Sequence, residues 1–149
     1  MKNEKGLTLI ELLATITIFF ILGSLIFGVL INSQKNYATL STKNSLSQEA
    51  NLAIKIIKNY HYKVEPYTLS YNETKKNVSI IKGAETIPLV SDNYDATFKA
   101  GYSQYDPSVL TKSFNVQDFK KPLAIWLQIS DKNGKTYEID TTIFSYYGE

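Results

Sequence analysis

The chain has 149 residues, 44% of them hydrophobic and 20% charged, enough apolar material for one small globular domain and too much for a disordered tail. Its formal charge is +2, and all 16 basic residues are Lys. Without Arg, the bidentate contacts that most nucleic-acid readers make to phosphate and guanine are missing, so DNA contact is at most loose and electrostatic. Cys is absent and His61 is the single histidine, which excludes disulfides, thiolate metal sites, a cysteine nucleophile and a histidine-rich metal centre. No cofactor is expected.

The apolar residues are concentrated near the N-terminus. From Leu12 to Ile31 the chain reads LLATITIFFILGSLIFGVLI without a charge. As a helix that run is about 30 Å long, the thickness of a bilayer's hydrocarbon core. Leu12, Leu13, Ile16, Phe19, Phe20, Leu22, Leu25, Phe27 and Leu30 cover every side of it, whereas a soluble domain's helix is apolar on one side only. A cleaved secretory signal has a shorter apolar region ending near small residues. Here the run ends in Asn32-Ser33-Gln34-Lys35, so the segment is expected to stay attached as a membrane anchor. Lys2 and Lys5 precede it, placing the short N-terminus in the cytoplasm and the rest outside. Glu11 stands at the start of this stretch. A carboxylate there is either a solvated interfacial residue favoured by the helix dipole or an intramembrane group with a function.

Lys5-Gly6-Leu7-Thr8-Leu9-Ile10-Glu11-Leu12-Leu13 resembles the type III signal of type IV pilins and pseudopilins. The resemblance implies cleavage between Gly6 and Leu7 by a membrane-embedded prepilin peptidase, methylation of the new amine on Leu7, and Glu11 as the fifth residue of the mature chain. It further implies other pilin subunits as partners, with a membrane platform protein and an assembly ATPase acting indirectly. Two departures stand out: Leu7 replaces the commoner Phe, and Gly28 lies where many major pilins have a mid-anchor Pro. Cleavage would expose a positive amine that Glu11 of a staggered neighbour could neutralise in low dielectric, making proteolysis an assembly switch. Gly6 suits close entry of the backbone into a protease site. Ser24 and Gly28 form a small-xxx-small pair, read as packing adaptability before a dedicated dimer motif.

Beyond the anchor, Leu40, Leu46, Ala50, Ile54, Ile57 and Tyr60 make one apolar stripe, opposite Lys43, Asn44, Gln48, Asn51, Lys55 and Lys58. Helix is expected from Leu7 to Tyr60, ended by Glu65-Pro66, with His61 near its end complementing the dipole. Strands are expected at Tyr67–Tyr71, Val78–Ile81, Thr86–Val90 and Ala96–Tyr102. A hairpin follows, with Leu123–Ile129 alternating, Asp131–Lys135 turning and Tyr137–Tyr146 returning. The expected fold class is α+β: a long N-terminal helix on an antiparallel sheet, pilin-like, with a leader at 1–6, an anchor at 7–31 and an outer domain at 32–149. Asp131, Asn133 and Gly134 read as turn chemistry before calcium ligands, Asp92, Asn93 and Asp95 as solvated loop residues before a cation site, and Lys75-Lys76 and Lys120-Lys121 as solvated pairs. No catalytic constellation is present. The function expected is a minor pilin or pseudopilin subunit of a pilus, DNA-uptake or secretion filament. The alternatives are a signal-anchored surface module that binds through a sheet rich in its eleven Tyr, and, last, an anchored extracellular enzyme.

Overall fold

A computed structural model describes residues 8–144. The chain divides into two compact units, Met1–Ser41 and Thr42–Glu149. Helix α1 (Leu9–Tyr62) contributes to both, and seven strands follow: β1 (Tyr67–Asn72), β2 (Asn77–Lys82), β3 (Glu85–Pro88), β4 (Asp95–Tyr102), β5 (Ser113–Val116), β6 (Leu123–Ser130) and β7 (Thr136–Ile143). The layout is α+β and pilin-like, as expected, but the strands form two antiparallel sheets in place of one. The first has the order β3-β2-β1-β5 and the second β4-β6-β7.

In the second unit the helix buries Leu46, Ala50, Ala53, Ile54, Ile57 and His61, a series of i+3 and i+4 steps that keeps one side on the core. That side meets Tyr67 and Leu69 of β1, Val78 and Ile80 of β2, Phe98 of β4, and Leu123, Ile125, Leu127 and Ile129 of β6. The period-2 alternation of β6 thus does what the sequence predicts, turning its odd-numbered residues inward. Leu40 does not join the stripe: it is 60% exposed, and burial begins at Leu46. Lys58 is half-buried, while Lys43, Asn44, Gln48, Asn51 and Lys55 are exposed as expected.

The helix ends at Tyr62, before Pro66 acts, because Val64 adopts φ 58°. The N–H of Lys63 donates to the Tyr60 carbonyl at 3.2 Å and that of Val64 to the His61 carbonyl at 3.3 Å, closing the last turn. His61 corrects the expectation of a dipole-facing cation. Its ring is fully buried against Phe119 and Tyr67, with centroids 5.3 and 6.5 Å away, and this desolvation lowers its pKa.

Strand bounds shift by a residue or two at β1, β2 and β4, and β3 ends early, at Pro88. Strand β5 was not anticipated, and the return strand β7 stops at Ile143; residues 145 and 146 of the expected strand lie outside the described residues. After β4 the chain doubles back so closely that a Cβ on Gly101 would lie 2.1 Å from the Gln104 carbonyl oxygen. The β6–β7 turn is set by Asp131, whose Oδ1 accepts N–H groups from Asn133 at 2.9 Å and Lys135 at 2.8 Å, with Gly134 at φ 78°. Lys76 and Lys121 are not purely solvated, since each lies 3.3 Å from a carboxylate, Asp95 and Asp118.

Candidate processing and assembly site

Gly6 and Leu7 lie outside the described residues, so the site is built from Thr8 onward. Thr8 caps α1. Its N–H and its hydroxyl both donate to Oε2 of Glu11, each at 2.9 Å, and its Oγ1 accepts the Glu11 N–H at 3.4 Å. This is a reciprocal capping box, in which a Thr at the cap and a Glu three residues on satisfy each other's backbone donors. The Thr-x-x-Glu spacing carries that signal in the sequence, and the reading of Glu11 as solvated or intramembrane missed it. The consequence is chemical. One carboxylate oxygen is committed to the helix start, and Oε1 has no partner among the described residues, leaving an acceptor open toward an incoming cation.

The residues expected to form an anchor are all exposed in the single chain: Leu12, Leu13, Ile16, Phe19, Phe20, Leu22, Leu25, Phe27 and Leu30. Four consecutive residues, Phe19 to Leu22, are each more than half exposed, so no side of the helix is polar. Its hydroxyls need no solvent. Thr15 donates to the Leu12 carbonyl, Thr17 to that of Leu13 and Ser24 to that of Ile21, each at 2.8 Å. A segment with every polar group satisfied internally and every side apolar is long and apolar enough to cross a membrane. Nothing lies within 4 Å of the position of a Cβ on Gly23 or Gly28, so neither glycine is required by contacts within the chain.

The remaining candidates fall elsewhere. A concavity of about 320 Å³ in the second unit is lined by Asn72, Lys75, Asn77, Ser79, Thr86, Pro88 and Asp92. Both polar ends of the Asn77 amide are occupied, Nδ2 donating to the Val90 carbonyl at 2.9 Å and Oδ1 accepting the Val78 N–H at 2.7 Å. The described tyrosines do not gather into one exposed sheet surface. Tyr67 is buried, Tyr60, Tyr71, Tyr94 and Tyr137 pack on the core, and the Tyr102 hydroxyl accepts N–H groups from Gln117 and Asp118, both at 2.7 Å.

Residues 1–27 match the family model described as the prokaryotic N-terminal methylation motif. The chain therefore carries a type IV pilin-like prepilin signal, of a kind found on structural subunits, and this signal is continuous with the membrane-compatible helix. Comparison with curated proteins and with solved structures gives no match.

Proposed function

We propose that this prepilin signal makes the chain a minor pilin or pseudopilin: a precursor cleaved between Gly6 and Leu7 by a prepilin peptidase, methylated on Leu7, and assembled with sibling subunits into a type IV pilus or related pseudopilus. The observation that carries this reading is the methylation motif over residues 1–27 joined to a helical segment, ending at Ile31, that is apolar on all sides and whose large side chains are exposed in the single chain. Such a surface needs lipid before assembly and other apolar helices after it. On this reading residues 1–6 are a leader, 7–31 the anchor and assembly helix, and 32–149 the outer domain, held at the membrane with the leader on the cytoplasmic side. The role of the chain is structural, with no reaction of its own.

The capping geometry supports an assembly switch. In the precursor Leu7 contributes an ordinary amide, and Glu11 is occupied on one oxygen by Thr8. Cleavage creates a cationic amine at the end of a helix otherwise surrounded by hydrocarbon, where an unpaired charge is strongly disfavoured. The open Oε1 of Glu11 on an axially staggered neighbour satisfies that amine, while Oε2 keeps the neighbour's own helix start in place. Register and energy then come from one residue.

Two substitutions test this in the native host. Glu11→Val retains cleavage and loses incorporation into filaments, because the amine has no acceptor. Replacing Gly6 with Val blocks cleavage itself. Normal incorporation of Glu11→Val contradicts the pairing role, and normal cleavage of Gly6→Val contradicts the assigned processing site.

A further inference from the structure

Among the described residues the two sheets present four edge strands, and three of them are closed to further pairing. Strands β3 and β5 are four residues each, and β3 ends in Pro88. Along the outer edge of β4, the Ala96 N–H donates to the Lys76 carbonyl at 2.7 Å, the Phe98 carbonyl accepts from the Thr111 N–H at 3.0 Å, and the Ala100 N–H donates to Thr111 Oγ1 at 3.0 Å. Short strands, proline and overlying chain are the usual protections of a sheet edge.

Strand β7 has none of them. It runs eight residues, TYEIDTTI, with no Pro, Gly or Lys. Its described backbone bonds go only to β6. The Asp131 N–H donates to the Lys135 carbonyl at 2.9 Å, so the antiparallel alternation turns the N–H and C=O groups of Thr136, Glu138, Asp140 and Thr142 away from β6. These groups form an open ladder. Tyr137 and Ile139, whose backbone is turned toward β6, are only partly buried beside that edge, so a further strand would complete their cover.

The charges select the occupant. Glu138 Oε1 accepts from the Gln128 amide at 2.7 Å and Asp140 Oδ2 from the Tyr105 hydroxyl at 2.8 Å, and neither carboxylate has a cation partner among the described residues. A second copy of β7 is a poor fit. The antiparallel registers with most overlap that keep Tyr137 and Ile139 facing inward set Glu138 opposite Asp140, or either carboxylate opposite itself. Like charges directly across a strand pair are destabilising.

We propose that the outer edge of β7 is a strand-addition site for an extended segment of another polypeptide, one that alternates apolar residues with Lys or Arg at i, i+2 spacing. Backbone bonds to residues 136, 138, 140 and 142 supply the pairing, Glu138 and Asp140 meet the cations, and the alternate apolar residues cover Tyr137 and Ile139. This proposal stands apart from the filament reading, since it needs only the second unit's sheet.

The test uses the full chain in detergent micelles and amide hydrogen exchange across β7, with a synthetic octapeptide alternating lysine and valine as the probe. The amides of residues 136, 138, 140 and 142 slow by about tenfold or more when the alternating peptide is added. A peptide of the same composition with its lysines grouped at one end leaves them unchanged. The Glu138→Lys/Asp140→Lys double variant loses the response and gains one to a glutamate–valine peptide. In that variant the Ile139 and Thr141 amides, bonded to β6, stay protected and show that the sheet is intact. Unchanged exchange with the alternating peptide overturns the proposal, as does equal slowing by the grouped one. Concentration-dependent protection without any peptide also overturns it, since a second copy then takes the edge.

Discussion

Acidification should loosen the second unit through His61. The imidazole is fully buried, and among the described residues its Nε2 has no partner and its Nδ1 has only a long 3.4 Å contact with the Tyr67 hydroxyl. The rings packed on it, Tyr67 and Phe119, are uncharged, and burial pushes the Tyr67 phenol further from ionisation. Burial, with no carboxylate opposing it among the described residues, holds the pKa of His61 below the usual 6.5. The unfolded chain then binds more protons than the folded one as pH drops below about 6.5. The stabilisation is complete above that value and is lost as pH falls toward the folded-state pKa. A single group contributes a slope of at most about 1.4 kcal/mol per pH unit, or about 4 °C per kcal/mol in melting temperature for a unit of this size. His61→Leu removes this slope and also relieves the orphaned Nε2. Denaturation of the full chain in detergent, followed by fluorescence of the single Trp126 between pH 7.5 and 5, isolates the term as the difference between wild type and variant. Carboxylate titrations are common to both and cancel. Because the chain has one histidine, its lone imidazole resonance reads the pKa directly. A flat difference across that range, or titration at 6.5 or above, refutes the reasoning.

Two further substitutions probe the backbone. Val64, β-branched and 41% exposed, holds φ 58° where L side chains are strained, so Val64→Gly stabilises the fold by about 0.5–1 kcal/mol after the glycine entropy is subtracted, read as a higher melting temperature. Gly101→Ala places a methyl group against the Gln104 carbonyl oxygen, forces the return after β4 to move, and destabilises by about 1–3 kcal/mol in the same assay. An unchanged melt for either variant contradicts the geometry assigned to it.

The membrane-compatible helix was legible because hydrocarbon tolerates so few sequences: twenty uncharged residues, apolar on every side, leave little choice. The β6–β7 hairpin was legible for a similar reason, since its alternation and its Asp-Lys-Asn-Gly turn are local signals. Strand β5 was not. SFNV offers only Phe114 and Val116, and what makes it a strand is pairing with β1, Tyr67 opposite Val116 and Leu69 opposite Phe114, across a long sequence separation. The division into two sheets has the same origin, because the order of strands depends on such distant pairings. The burial of His61 has a local signal too: it follows Ile57 by four residues, on the stripe that buries Ala50, Ala53 and Ile54. Glu11 drew attention through its charge, yet its partner Thr8 was legible at the capping spacing.

The mass of the chain recovered from its native host tests prepilin processing most directly. The expected protein starts at Leu7 and carries one added methyl group on its amine. A chain that still begins at Met1, with its leader intact, would contradict it.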